Sequence, residues 1–396
     1  MSMKKQFSTM RWLVVVATGL ITVAAGMAEQ PTIVIERPSN LADYTPPTPI
    51  AITGFSGEVA HVLNFDLTVM GFTNVPAASA QYVVSGNNDS NVRGQLNFGK
   101  TVKFSKIYSG PSVRAQAHRL ADDVVLSITG VKGIAETKIA FKRVTGSRSS
   151  EIYVSDFDGF DAKPVTQDNT DAAAPCWVPG KMEIYYTSYK LGSPNIFFQD
   201  LPSGQRNNFS HYPGLNSSAA VGPDGRVAMI LSKGGSPDLY VCDADGSHLK
   251  QLTETPEDES SPCWSPDGKW ICYAAKMNER RALWKVSPEG GAPVRIPTSG
   301  VSNPSEPDWS PDGQWIVFTS QMSGFEICVV KATGGTATPI TAGEDASWAP
   351  NSRTVVFVRG SRGSRQLGLL DVPTRQSRDA ARPAGGGSNS QPSWAR

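Results

Sequence analysis

"SSPCWSPDGKWICYAA" at 260–275 and "SEPDWSPDGQWIVFTS" at 305–320 are nearly the same phrase: a strand ending in Trp, a tight turn and a second strand. In S-P-D-G the Pro suits a φ near −65° and the Gly a positive φ, so the chain reverses within a few residues. Aligning the chain on the residue before the turn finds Trp177 in "APCWVPGKMEIYYTS", Val221 in "SAAVGPDGRVAMILS", Trp264, Trp309, Trp348 in "DASWAPNSRTVVFVR" and Trp394 in "QPSWAR". Successive anchors lie 44, 43, 45, 39 and 46 residues apart. A strand-rich period of about 40–45 residues is the mark of a β-propeller, whose blades are four-stranded sheets around a central channel.

The third unit displays its four strands as "SPCWS", "WICYAA", "ALWKVS" and "PVRIPT". "D-F-D-G" at 156–159, "D-A-D-G" at 243–246, "P-E-G-G" at 288–291 and "A-T-G-G" at 332–335 supply the later turn. At one end of the array, "TKIAFKRV" (137–144) matches a second strand with no first strand before it, and "QPSWAR" matches a first strand with nothing after it. One blade is therefore shared between the two ends, six blades result, and the C-terminal strand closes the ring. Closure removes the open edges that a sheet would otherwise present for aggregation.

Before the repeats the texture changes. Lys4, Lys5 and Arg11 precede the apolar run "WLVVVATGLITVAAG" and small residues ending at Ala28, the three parts of an export signal. Its roughly fifteen apolar residues fall short of the ~20 that a spanning helix needs, so cleavage is expected after Ala28. Beyond it, "PIAITGF" (49–55) predicts a strand and "GEVAHVLNFDLTVMG" (57–71) a helix with Val59, Val62, Leu63, Leu67 and Met70 on one face. Strands are predicted at "QYVVSG" and "TVKFSKIYSG", and a second helix in "PSVRAQAHRLADDVVLSITG", with a Pro at its start and Gly130 past its end. The intervening "SGNNDSNVRGQLNFGK" shows no apolar strand or helix. The expected organisation is a signal peptide over 1–28, a small α/β N-terminal domain with an N-terminal arm over 29–136, and an all-β six-bladed β-propeller over 137–396.

Composition narrows the functional classes. With 37 basic and 36 acidic residues the net charge is +1, which gives no electrostatic reason to expect nucleic acid. The five cysteines are odd in number and show no C-x-x-C, so they read as packing thiols. There is no G-x-S-x-G elbow, and the four histidines show no metal-binding spacing. The D-x-D-G turns lack the further oxygen ligands of a calcium loop and read as turns. Neither a metal nor a cofactor is expected. Asp171, Glu259, Glu306 and Asp345 fall just before first strands, where they would ring one mouth of the channel; a pair of them could serve glycosidase chemistry. "EDESSP" (257–262) and "SNPSEP" (302–307) are the most polar connecting loops there, and a partner is placed on them.

The order of signal peptide, α/β domain and six repeats, with "KIAFKR", "EIYVSDFDGFDAKPVT", "DLYVCDADGSHLKQLT", "EPDWSPDGQWIVFTS" and the terminal "QPSWAR", resembles the TolB family of the Tol–Pal cell-envelope system. The resemblance implies a non-enzymatic, monomeric periplasmic adaptor with roles in envelope integrity, cell division and protein import. It would bind a Pal-like lipoprotein at the propeller mouth. A TolA-like inner-membrane protein would bind the N-terminal segment, matched here by "PTIVIERP" with Thr32, Ile33, Val34, Ile35 and Glu36, a stretch suited to joining a partner's sheet edge. The family's acidic residue before the anchor Trp corresponds to Glu306, whereas blade order points to Glu259, Ser260 and Ser261; Asp345 lies in the next unit, and the family's loop His has its nearest position at Asn216. The alternatives are an exported propeller enzyme of glycosidase or lyase type and a glycan-binding propeller.

Overall fold

The computed structural model describes residues 41–277, 280–361 and 363–396. The expected signal peptide and the arm residues Thr32, Ile33, Val34, Ile35 and Glu36 lie outside the described residues. Among the described residues no helix is long and apolar enough to cross a membrane.

The first strand, β1 (Thr48–Thr53), leads into α1 (Gly57–Val69), which buries Val59, Val62, Leu63 and Leu67, with Met70 following. Next come β2 (Phe72–Asn74), β3 (Tyr82–Asn87), β4 (Val92–Phe98), β5 (Thr101–Tyr108) and α2 (Val113–Thr129). The sheet order is β2-β1-β3-β4-β5, parallel on the β1 side and antiparallel from β3 onward. Ser112 caps α2 by accepting the Ala115 N–H at 3.1 Å, and Gly130 at φ 71° ends it.

Strand β4 runs through the stretch whose sequence shows no apolar strand. The alternation is present as Val92, Gly94 and Leu96, all buried, but its central position is a glycine. A Cβ there would lie 2.5 Å from Leu120 of α2. The helix side chain fills the space that an apolar strand residue would have used, so the strand is quiet in hydropathy.

From residue 138 onward the chain forms six four-stranded sheets. Blades 1 to 5 have inner strands Ala172–Trp177, Asn216–Val221, Glu259–Trp264, Ser305–Trp309 and Glu344–Trp348. Blade 6 takes its inner strand, Asn389–Trp394, from the C-terminal end and pairs it antiparallel with Lys138–Val144, so the ring closes as expected. Three of the five anchor tryptophans join blade to blade. Trp264 Nε1 donates to the Ala220 carbonyl at 2.9 Å, Trp348 to Asp308 at 3.1 Å and Trp177 to Ser393 at 3.0 Å. Trp309 donates instead to the Gly313 carbonyl at 3.1 Å and Trp394 to the Thr137 hydroxyl at 2.7 Å, within their own blades; burying a large ring with its one donor satisfied explains why Trp recurs.

The Asp of the P-D-G turn is structural. Asp267 accepts the Ser265 hydroxyl at 2.7 Å and the Lys269 N–H at 3.2 Å, and Asp312 repeats the pattern with Ser310 at 2.6 Å and Gln314 at 3.0 Å. The five cysteines are free thiols. Burial pushes Cys242 and Cys328 up to about 12, which keeps them protonated and unreactive.

Antiparallel order sorts the loops onto two faces. The starts of the inner strands, the hairpins between second and third strands and the blade-to-blade connections share one face, the mouth. The P-D-G and D-x-D-G turns share the other, and there the α/β region docks on blades 5 and 6. Thr354 Oγ1 donates to the Val69 carbonyl at 3.0 Å, and α1 lies against Gln366–Asp371 and Ser377–Asp379. At the centre of this junction is a buried charge cluster. His118 Nδ1 meets Asp66 at 2.7 Å, His118 Nε2 lies 3.6 Å from Asp158, and Arg114 pairs with Asp158 and, at 3.2 Å, with Glu58. Phe157, next to Asp158, packs against His118, Phe65 and Trp394. The D-F-D-G turn is thus also the fastening point for α2.

Candidate functional site

Each inner strand breaks its pairing register just before the anchor residue, a β-bulge present in all six blades. Three residues before the anchor the backbone turns left-handed: Ala174 (φ 49°), Ser218 (55°), Ser261 (53°), Glu306 (52°), Asp345 (54°) and Gln391 (50°). Positive φ costs a non-glycine residue about 1–3 kcal/mol and persists only where the surrounding structure imposes it. Here it re-aims six side chains, one per blade, into a central channel of about 290 Å³.

The bulge side chains are laced together. Glu306 Oε2 accepts the Thr319 hydroxyl at 2.7 Å and the Asp345 N–H at 3.2 Å; Asp345 Oδ2 accepts the Gln391 N–H at 3.0 Å; Gln391 Oε1 accepts the Ala174 N–H at 3.0 Å. One oxygen of each acid therefore holds the next blade. Burial, together with the negative Glu306, pushes the Asp345 carboxyl well above the usual carboxylate range. Glu344 is also raised, chiefly by burial, against the opposing pull of Arg365 at 2.6 Å. At the far end, Arg396 pairs with Asp308 and donates to the Trp309 carbonyl at 3.0 Å and the Trp348 carbonyl at 3.3 Å.

The structure places the residues singled out in the sequence at different depths. Ser261, Glu306 and Asp345 line the channel together. Ser260 lies outside it and receives Arg281 at 3.3 Å. Glu259 opens the inner strand of blade 3 rather than sitting in the loop before it, and it is buried. Its carboxyl accepts Thr253 at 2.9 Å and Thr255 at 2.8 Å, and burial raises it to about 7. Asn216 occupies the matching position of blade 2, fully buried, accepting Ser210 and the Tyr212 N–H and donating to the carbonyls of Tyr212, Pro194 and Gly214. Asp171 lies half-exposed outside the channel, paired with Lys142 at 2.8 Å. Counting back from the anchor shows that Glu306 corresponds to Ser261, and that Glu259 stands two residues too early to reach the channel.

Asn216→Ala leaves several of these backbone groups without a partner, so thermal or urea unfolding is expected to show a loss of about 2–4 kcal/mol. An unchanged midpoint would assign Asn216 no structural role.

Around the channel the mouth face exposes apolar side chains that the repeat alone does not mark. Val144, Tyr189, Leu191, Met322 and Phe325 sit at or beside the second-to-third-strand hairpins, and Tyr212 on the connection into blade 2; all are at least 38% exposed. Lys233 lies over the Tyr212 ring at 4.5 Å. The signal available in sequence was an apolar residue at a hairpin tip.

A family model described as the TolB β-propeller domain matches residues 125–396. A Tol-Pal system protein TolB from Anaeromyxobacter dehalogenans is 30% identical over 292 residues, an alignment that spans 61% of this chain and 64% of that protein. The protein of the same name from a second strain is 29% identical, over 65% of this chain and 68% of its own length. In fold, the chain is similar to the crystal structure of TolB from Acinetobacter baumannii, with a TM-score of 0.80, 22% identity and coverage of 89% of this chain and 98% of that one.

Proposed function

Since the chain belongs to the TolB β-propeller family, we propose that it is a non-enzymatic periplasmic adaptor of a Tol–Pal-type complex with a role in envelope integrity and cell division. A Pal-like lipoprotein docks on the propeller mouth, and a TolA-like inner-membrane protein takes the N-terminal segment around Thr32–Glu36. The observation that carries the reading is the mouth itself: an acidic channel bearing Glu306 and Asp345, rimmed by exposed Tyr189, Leu191, Tyr212, Met322 and Phe325. Exposed aromatic and Met residues clustered on one face are the residue types enriched in protein-docking surfaces. The carboxylates support an adaptor over a glycosidase because each already holds a neighbouring backbone N–H.

The test is a binding titration with the ectodomain of a Pal-like lipoprotein. Tyr212→Ala and Phe325→Ala are expected to weaken it at least 10-fold, as for large aromatic contact residues, with the melting temperature unchanged. A chain lacking residues 29–37 is expected to keep this affinity and lose the TolA-like partner. Undiminished binding by both alanine variants would remove the mouth from the reading, and turnover of a glycan abolished by Asp345→Asn would replace the adaptor with an enzyme.

A further inference from the structure

A second cavity, of about 630 Å³, opens beside blade 3 on the mouth face, between its third and fourth strands and the connection into blade 4. Arg280 and Arg281 begin the strand Arg280–Val286, and Arg295 lies on the neighbouring strand Val294–Ile296, opposite Trp284 in register. The connection contributes Thr298, Ser299 and Ser302. Among the described residues lining the cavity none is acidic.

Several arginines elsewhere in the molecule are neutralised by carboxylates. Arg226 meets Asp224 and Glu289, Arg206 meets Asp168, and Arg353 meets Asp371. Among the described residues Arg280, Arg281 and Arg295 meet no carboxylate; Arg281 is held only by the Ser260 hydroxyl at 3.3 Å. Three like charges gathered around one concavity repel each other, and an anion placed among them removes that repulsion.

We propose that this cavity binds a phosphorylated small polar ligand of the sugar-phosphate class. Guanidinium groups recognise phosphate oxygens through paired N–H donors, and three of them match a dianion. The volume falls in the range of small-molecule sites. The hydroxyls of Thr298, Ser299 and Ser302 suit the hydroxyl-bearing remainder of such a ligand. Its lining residues include neither Tyr212 nor Phe325, and binding there does not depend on any partner.

The experiment is calorimetric titration of the full mature chain with inorganic phosphate, with glucose 6-phosphate and with glucose as a neutral control, alongside sedimentation with phosphatidylglycerol vesicles. Saturable binding of the sugar phosphate is expected, tighter than inorganic phosphate and absent for glucose. Arg281→Gln and Arg295→Gln, exposed changes that leave the melting temperature in place, are each expected to weaken it at least 10-fold. The proposal is overturned if wild-type protein shows no saturable phosphate binding, if both variants bind as wild type does, or if glucose binds equally well. Binding to vesicles without binding to either soluble phosphate also overturns it, and would assign the arginines to a lipid surface.

Discussion

A chain ending at Gly386, ten residues short, is expected to lose the cooperative unfolding of its propeller rather than a single blade. The missing segment supplies the inner strand of blade 6, so Lys138–Val144 would lose its partner and the ring would open between blade 5 and what remains of blade 6. It also removes Trp394, 2% exposed, whose ring packs on Phe157 and whose Nε1 donates to Thr137 at 2.7 Å, and Arg396, which spans blades 4 and 5. Trp394→Ala is the milder form, with an expected cost of about 3–5 kcal/mol from the lost ring and the cavity left behind. Urea unfolding followed by circular dichroism reads both. A truncated chain with a wild-type midpoint would mean that the remaining five blades are self-sufficient and that closure is not what stabilises this ring.

Asp158→Ala is expected to cost about 1.5–3 kcal/mol, because it removes the carboxylate shared by Arg114 and His118 and leaves them only Glu58 and Asp66. The loss should concentrate at the junction of α2 with blade 6 and be read as faster amide exchange in Val113–Thr129 than in the blades. A double-mutant cycle with Arg114→Ala isolates the pair; additive losses would show that the two side chains do not act together.

The same cluster sets a pH dependence. Burial raises Asp66 to about 6, and likewise Asp122, which lies on the same helix as His118 and whose carboxylate accepts the Ala135 N–H at 2.9 Å; His118 is lowered by burial but raised overall by the hydrogen bond and charge of Asp66 and then by Asp158. All three therefore hold protons more tightly folded than unfolded. The stability that Asp66 and Asp122 contribute is fully present below about pH 4 and is lost as pH rises toward about 6; that of His118 is lost as pH rises through its raised value above 6.5. The melting temperature should fall between pH 5 and pH 8, and Asp66→Asn should flatten the fall. A melting temperature that climbs over this range would reverse the assignment.

Much of this architecture is legible along the chain. The anchor Trp, the P-D-G turn and the spacing between units are local features, and each turn is satisfied by residues within a few positions, as with Asp267, Ser265 and Lys269. The split blade is visible for the same reason, since "TKIAFKRV" and "QPSWAR" are incomplete units. Strand β4 escapes because its hydrophobic partner at Gly94 is a leucine of another element, Leu120, some two dozen residues away. Glu259 and Asn216 read as loop residues because polarity suggests exposure, although both are buried and hydrogen-bonded.

What sequence alone determined, then, is the number of blades, their four-strand order, the closure of the ring and the structural role of the turn aspartates, all carried by short-range periodicity. Only the tertiary structure decided which side chains face the channel, because a left-handed bulge at Ser261, Glu306 and Asp345 has no composition of its own and exists through pairing with the neighbouring strand. The same holds for the groupings of Asp66 with His118 and Asp158, and of Arg280 and Arg281 with Arg295. Charges that are unremarkable singly acquire their chemistry when the fold removes water from between them or gathers them around one cavity.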